Sequence, residues 1–191
     1  MEGTPAVSLR SHRIAFLAIV VVAAVFDLWS KWEAFERLGA PPSPLHHEVI
    51  PRILRFETAT NTGVAWGMMG QKSTRWLIVG LSLVAFPVIA VIFVRAKAPS
   101  WVFTLGLASI GGGTLGNLYD RLVHGAVRDF IYVYCINFPI FNVADTFICV
   151  GAALLAMEQL LVPKPPDTGA APGTPAPEKS GIAGGGDAKI G

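Results

Sequence analysis

Charge is scarce in this 191-residue sequence, in which 15% of the residues are charged and 52% are hydrophobic. About a quarter of the residues of an ordinary soluble domain are charged. The mean hydropathy of +0.53 also lies on the apolar side. No stretch concentrates lysine and arginine, and the formal net charge is only +2, so nothing in the sequence favours a nucleic-acid-binding protein.

Several signatures of reactive or metal-binding sites are also missing. The two cysteines, Cys135 and Cys149, form neither a disulfide framework nor a CxxC pair, and we expect both to be buried apolar thiols. His46 and His47 are adjacent but have no cluster of further ligands, so no metal site is predicted. No GxxxxGK[ST] sequence is present, and the serines lack the basic partner that a serine nucleophile requires.

Long apolar segments dominate what is present. A transmembrane helix needs about 20 mainly apolar residues. Four segments approach or reach that length: Ile14–Phe26 with its continuation to Trp32, Trp76–Val94, Trp101–Leu118, and 140–162. A charged start followed by an apolar run also fits a cleavable signal peptide for the first segment. With three further spans, a retained first helix is the simpler interpretation. The sequence therefore predicts an all-α polytopic membrane protein built as a four-transmembrane-helix bundle.

The positively charged residues predict its orientation. Arginine and lysine occur in the N-terminal arm, residues 1–13, and in the short connection at 95–97. Because positive loops favour the cytoplasmic side, both termini are predicted to be cytoplasmic. Segments 33–75 and 119–137 then face outward. The alternating pattern of Val49–Phe56 predicts a short strand or interfacial structure rather than a fifth span, and hence a small β-like or loop cradle after the first helix.

The C-terminal segment has a different composition. Residues 163–191 contain six prolines, seven glycines and five alanines, which cannot bury enough apolar surface to fold. We predict three parts: a cytoplasmic N-terminal arm (1–13), a membrane domain (14–162) and a disordered cytoplasmic tail (163–191).

The unusual polar residues converge on the predicted outer face. They are Asp27, Lys31, Asn61, Asn117, Asp120, Arg121, Asp129, Asn142 and Asp145. Of these, Asn117, Asp120 and Arg121 are placed just past the outer end of span three. Acids at the edge of a span usually face a bundle interior or a water-filled cavity. A cluster on one side predicts a site at the membrane surface rather than a conduction pathway.

Asp129 and Asp145 are the most suggestive pair. The 16-residue separation allows the chain to reverse and place them side by side, where two carboxylates share a proton and can work as acid and base. A structural alternative stays open, in which Asp129 pairs with Arg128 or Arg121 and Asp145 caps the fourth helix. Asp27 and Lys31, four residues apart, are predicted to form a supporting ion pair.

Five sequence blocks resemble those of lipoprotein signal peptidases, the signal peptidase II family. They occur in the family's order: the polar pair Asp27 and Lys31, NTGVAWG at 61–67, GGTLGNLYDR at 112–121, GAVRDF at 125–130 and FNVAD at 141–145. Trp66 stands where phenylalanine is common, and the C-terminal tail is outside the family pattern. The resemblance covers residues 27–145, and the glycines of the third block, at 112–121, are expected to serve helix packing.

The resemblance implies an aspartic endopeptidase with Asp129 and Asp145 as its dyad. It also implies that five residues bind substrate or order the site, namely Asn61, Gly63, Asn117, Arg121 and Asn142, and that Asp27, Lys31 and Asp120 give structural support.

The implied substrate is a diacylglyceryl-modified prolipoprotein, cut just before its lipidated cysteine at the outer face of the bacterial cytoplasmic (inner) membrane. Besides that substrate and membrane lipids no partner is implied, and no cofactor or metal is expected. Two alternatives from other classes are a small proton-coupled membrane carrier and a non-enzymatic membrane scaffold. A carrier would place acids in mid-membrane with access from both sides.

Overall fold

The computed structural model describes residues 8–63 and 71–161 of the chain. The elements in order are α1 (Leu9–Leu38), β1 (His46–Ile50), β2 (Leu54–Asn61), α2 (Gln71–Arg95), α3 (Trp101–Val123), β3 (Val127–Val133), a short 3-10 helix (Tyr134–Ile136) and α4 (Val143–Leu161). All of them belong to one structural unit that ends at Leu161. The tail predicted over 163–191 lies outside the described residues.

Three of the helices are long and apolar enough to cross a bilayer: α1, residues 76–95 of α2, and α4. At 1.5 Å per residue the 30 residues of α1 extend about 45 Å, which exceeds the hydrocarbon thickness of a membrane. Large apolar side chains cover the outside of these helices; Leu17 and Val22, for example, are 63% and 64% exposed. An apolar outer surface of this kind suits a lipid surrounding, so the membrane-protein prediction is supported.

Helix α3 lies at the centre and packs against α1, α2 and α4. Helix α3 is not among the three helices apolar enough to cross a membrane, because glycines and polar side chains interrupt its apolar sequence. The fourth transmembrane span therefore stays a prediction. The glycines bring the helices close together: a β carbon added at Gly113 would lie 2.4 Å from the carbonyl oxygen of Ala144. One added at Gly151 would lie 2.6 Å from the carbonyl oxygen of Gly106. These contacts confirm a packing role.

The apolar core joins α1, α2 and α3. Phe16 and Phe93 stack with ring centroids 4.1 Å apart. Around them lie the buried side chains of Val20, Ile89, Leu107 and Ala108. This core holds α1, α2 and α3 together and includes none of the polar residues singled out in the sequence.

The three strands form one antiparallel sheet in the order β1-β2-β3. The predicted single strand Val49–Phe56 is wrong in detail, because a turn at 51–53 divides it into a hairpin in which Arg52 has a left-handed φ of 66°. The third strand lies in segment 119–137, for which no strand was predicted. A bulge between Phe56 and Ala59 gives β2 one residue more than β3 has between Ile131 and Asp129.

Two further expectations are corrected. Asn117, Asp120 and Arg121 lie in the last turns of α3 and not beyond its end. The helix continues through them because Asn117 and Asp120 face the protein interior, where partners from other elements satisfy them.

Both cysteines are exposed and not buried. In a membrane protein apolar residues cover the outside as well as the core, so the apolar surroundings of Cys149 in α4 did not imply burial.

Candidate functional site

The polar residues singled out in the sequence meet where the C-terminal half of α1, the end of α3, β3 and the start of α4 come together. Asp129 lies on β3 and is 2% exposed, while Asp145 lies in the first turn of α4 and is half-buried. Between them the chain reverses through the 3-10 helix, and Phe141 forms a bridge with Ile131 that returns it to the edge of β3. The predicted approach of the two acids is therefore present in the geometry.

Asn142 contacts both carboxyl groups. Its Nδ2 donates to Asp129 Oδ1 at 2.6 Å, and its backbone N–H donates to Asp145 Oδ2 at 3.3 Å. Asn117 adds a hydrogen bond of 2.8 Å from its Nδ2 to Asp145 Oδ1. The second hydrogen of Asn142 Nδ2 reaches Asn117 Oδ1 at 3.1 Å, so the two amides and the two carboxyl groups form one network.

Burial raises the pKa of Asp129 from 3.8 to about 7. The negative charge of Asp145 contributes to this rise, whereas hydrogen bonds from Asn142 and Asn61 and the positive charge of Lys31 act in the opposite direction and are included in the value. With a pKa of about 7, the Asp129 carboxyl group is partly protonated at neutral pH beside a second carboxylate. Such a pair can supply a general acid and a general base at the same time.

The start of α4 carries a reciprocal cap. The Asp145 N–H donates to Asn142 Oδ1 at 2.9 Å, while Asp145 accepts the Asn142 N–H in return. This is the pattern of a capping box with Asn at the N-cap and Asp three residues later. Part of the structural alternative is therefore correct, since Asp145 does cap α4, and the same contacts fix its carboxylate.

Asp27 joins the first helix to the last. Its Oδ1 accepts the backbone N–H of Ala144 at 2.8 Å, which satisfies one of the free donors at the N-terminus of α4. The contact requires a glycine on α3, because a β carbon at Gly116 would lie 2.3 Å from Asp27 Oδ2.

Lys31 is fully buried, and its ammonium group faces three acceptors. Nζ lies 2.7 Å from Asp27 Oδ2 and 3.0 Å from Asn117 Oδ1. The third acceptor is Asp120 Oδ2 at 3.4 Å. An ammonium group has three hydrogens to donate, so these contacts satisfy it. The predicted Asp27–Lys31 ion pair is present, and it continues into the network around the acids.

Asp120 ties β3 to α3. Its Oδ1 accepts from Arg128 Nη2 at 2.8 Å, and its Oδ2 accepts the Arg128 backbone N–H at 2.9 Å. Arg128 thus pairs with Asp120 and not with Asp129, contrary to one structural alternative. Arg121 donates from Nη1 to the Asn117 carbonyl at 3.4 Å and lies within electrostatic range of both Asp129 and Asp145.

Asn61 and Gly63 approach from β2. Asn61 lies opposite Val127 in the sheet, hydrogen-bonds Asp129, and accepts the Gly63 N–H at 2.8 Å. Gly63 has a φ of 79°, a left-handed backbone conformation that favours glycine, and a β carbon there would also have to displace Ile78 Cδ1 of α2, which would lie 2.3 Å away. The rest of the block at 61–67 lies outside the described residues.

Two contacts of the site were not predicted. The Asp120–Arg128 pair could not be read from spacing alone, since Arg128 stands next to Asp129. The Asn142 cap has a readable signal, because N-x-x-D before an apolar run is a capping-box pattern. Within residues 8–63 and 71–161 the structure shows no group of three or more side chains that could hold a metal ion.

An apolar cavity of about 530 Å³ lies beside the site, between the C-terminal half of α1 and the sheet. Phe130 and Val143, the chain neighbours of Asp129 and Asn142, form part of its wall, although neither aspartate lines it. Phe26, Trp29 and Phe56 contribute most of the aromatic lining. The cavity can therefore hold an apolar group next to the two acids.

Known proteins match this chain over most of its length. The family model for Signal peptidase (SPase) II matches residues 19–161. A lipoprotein signal peptidase of Yersinia pestis (strain Pestoides F) is 38% identical over 159 residues, covering 80% of this chain and 90% of that protein. The lipoprotein signal peptidase of Yersinia pseudotuberculosis serotype O:3 (strain YPIII) matches with the same identity and coverage.

Two solved structures have a similar fold, each described as a bacterial membrane enzyme structure obtained by the in meso method. The one at 2.3 Å resolution has a TM-score of 0.67 at 25% identity and covers 76% of this chain and 87% of its own. The one at 1.9 Å resolution has a TM-score of 0.70 at 25% identity and covers 78% and 94%. Since the family model extends from the first helix to the end of the fourth, this chain belongs to the signal peptidase II family and is an aspartic protease.

Proposed function

We propose that this enzyme removes the signal peptide from diacylglyceryl-modified bacterial prolipoproteins by cutting just before the lipidated cysteine, with Asp129 and Asp145 as its catalytic dyad. The observation that carries the proposal is Asn142, whose side chain and backbone donate to both carboxyl groups at once. The named relatives are lipoprotein signal peptidases, which supports the same substrate class.

The surroundings of the two acids suit different roles. Asp145 accepts hydrogen bonds from Asn117 and Asn142 at the N-terminus of α4, where donors and the helix dipole stabilise a negative charge. Asp129, buried and with a pKa raised to about 7, holds the proton that the pair shares. In the resting enzyme Asp145 is then the base and Asp129 the acid.

The reaction proceeds through a hydrated carbonyl. Asp145 takes one proton from a water molecule as the water oxygen bonds to the scissile carbonyl carbon, and Asp129 gives its proton to the carbonyl oxygen. In the second step the C–N bond breaks. The leaving nitrogen receives the proton held by Asp145, and one hydroxyl of the hydrated carbon returns a proton to Asp129. One water molecule is consumed, and the pair recovers its starting state.

The cavity beside the dyad suits the lipid on the substrate. A diacylglyceryl group is apolar, and the lining contributed by Phe26, Trp29 and Phe56 gives it an apolar surface within one residue of Asp129 and Asn142. The sheet covers this cavity from one side, as expected of a cradle. An acyl chain bound in this cavity would hold the attached cysteine, and with it the scissile bond, close to the dyad.

The proposal includes the membrane arrangement. With α3 as a fourth span and both termini cytoplasmic, the dyad lies at the outer face, where the cleavage site of an exported prolipoprotein emerges. In this arrangement 1–13 and 163–191 are cytoplasmic segments flanking the membrane domain 14–162. An enzyme leaves no role for the carrier and scaffold alternatives.

The test is cleavage of a diacylglyceryl-modified prolipoprotein by the purified full chain in detergent. Wild type should release the signal peptide, while Asp129→Asn and Asp145→Asn should each lose at least about a thousandfold in turnover, because each removes one of the two proton-transfer groups. Thr104→Val, at the other end of α3, is the control and should cleave normally. Normal cleavage by either Asn variant would show that the dyad assignment is wrong.

A further inference from the structure

The buried Lys31 ammonium group is hydrogen-bonded to Asn117, a residue that itself donates to the proposed dyad. Lys31 donates to Asn117 Oδ1 at 3.0 Å, and the other edge of the same amide donates to Asp145 at 2.8 Å. Asn117 Oδ1 also accepts from Asn142, which in turn donates to Asp129. A single amide therefore connects Lys31 to both acids.

An asparagine side chain can sit in either of two orientations, which exchange its oxygen and its nitrogen. Lys31 and Asn142 both donate to the Asn117 oxygen. Of the two, Lys31 is the donor that cannot exchange roles, because its ammonium group has only hydrogens to offer, whereas the Asn142 amide could itself turn over. With the oxygen held toward Lys31, the Asn117 nitrogen must point toward Asp145. In the reversed orientation the amide oxygen would face a carboxylate, and Asp145 would lose its donor.

We infer that Lys31 is a positioning residue for the reaction: acting through Asn117, its buried charge orients the donor to Asp145 and helps set the protonation of the dyad. This inference depends on the proposed function. It extends the supporting role of the Asp27–Lys31 pair, since the pair is linked to the reacting carboxyl groups and does more than hold α1 together.

The charge of Lys31 is one of several that act on the dyad. The charged and polar groups facing Asp129 come from every neighbouring element: Asp145 and Asn142 from α4, Asn61 from β2, Arg121 from α3 and Lys31 from α1. Lys31 itself is balanced by Asp27 and Asp120. Because its positive charge lowers the pKa of Asp129, its removal should extend the one-proton form of the dyad to higher pH.

The experiment compares pH profiles of kcat/KM for prolipoprotein cleavage by the full chain in detergent. Removing Lys31 alone would leave the buried Asp27 carboxylate without its cation, so the variant combines Asp27→Asn with Lys31→Met. The Asp27→Asn change keeps an amide oxygen that can accept the Ala144 N–H. We expect turnover to fall about tenfold or more, and the alkaline limb to move up by about one pH unit. A purely structural role would lower the whole profile without moving that limb.

Asn117→Leu tests the connection itself and leaves the buried ion pair in place. It should move the acid limb of the profile up, because Asp145, the base of the pair, loses the donor that stabilises its charge. Combining it with the double variant should cost little more than the larger single loss, since both changes break the same connection. If thermal unfolding shows that the Asp27→Asn, Lys31→Met double variant does not fold, Asn117→Leu still tests the inference.

Thr104→Val is the matched control, because it removes another buried α1–α3 hydrogen bond, the 2.8 Å contact with His12 Nδ1. Thr104 lies 13 residues before Asn117, about 20 Å along α3. Both limbs of the Thr104→Val pH profile should stay at their wild-type positions. Additive losses, an unmoved limb in the Lys31 and Asn117 variants, or an equal effect of Thr104→Val would overturn the inference. Failure of the wild type to cleave would refute the proposed function and, with it, the inference.

Discussion

The Asp129 carboxyl group should make the folded enzyme less stable at neutral and alkaline pH, and an Asp129→Asn variant should therefore be more stable there. Asparagine resembles a protonated carboxyl group in shape and keeps an oxygen for the 2.6 Å hydrogen bond from Asn142. It carries no charge that must be buried. The same substitution that abolishes cleavage is thus expected to stabilise the fold, as happens where a site is built at the expense of stability.

The magnitude follows from the raised pKa. Below pH 3.8 the folded and unfolded chains both hold the Asp129 proton, so the variant gains nothing. Between 3.8 and about 7 the unfolded chain releases a proton that the folded chain keeps, and the stability of the wild type falls as the pH rises. Above about 7 the full difference is present. At about 1.4 kcal/mol per pH unit it amounts to about 4 kcal/mol.

Thermal unfolding of the purified proteins in detergent, followed from about pH 4 to about pH 9, measures this difference. The melting temperatures should coincide at the acid end and separate by on the order of 10 °C at the alkaline end. Asp120→Asn is the contrasting control. It removes a carboxylate already balanced by Lys31 and Arg128, and should destabilise the protein at neutral pH. Parallel melting curves for wild type and Asp129→Asn would refute the reasoning.

Two further predictions concern packing. Gly116→Ala should destabilise the fold by about 1–3 kcal/mol, because its methyl group meets the Asp27 carboxylate, whereas Gly80→Ala on α2, with open space around it, should be neutral or stabilising in the same melting experiment. Ala34→Phe fills part of the apolar cavity and should raise KM for the diacylglyceryl substrate by about tenfold, while the outward-facing Ala18→Phe on the same helix should not. Unchanged KM for Ala34→Phe would remove the cavity from the substrate path.

Local patterns in the sequence predicted the parts of this structure that depend on neighbouring residues. The three apolar helices follow from composition, and Asp27 meets Lys31 because residues four apart share a helix face. The Asn142–Asp145 cap follows an equally local rule; Asp145 was considered as a cap of the fourth helix in the sequence, but the part of Asn142 was not.

The remaining contacts join residues that no local pattern relates. Asp27 caps a helix that begins 116 residues later, and β3 pairs with a strand on the far side of two helices. Asp120 could have paired with any of several cations, and only the packing of β3 against α3 selects Arg128. The end of α3 was misplaced for the same reason: polar residues signal the end of an apolar span but not of a helix whose interior supplies their partners.

The contact between Asp27 and the Ala144 N–H also bears on how the enzyme is made. It joins α1 with α4, and the proposed dyad needs both helices, since Asp145 and its cap Asn142 lie at the start of α4. A nascent chain that ends after β3 contains Asp129 but neither Asp145 nor Asn142. On the proposed mechanism, proteolytic competence therefore arises only when α4 joins the bundle and its first turn meets Asp27.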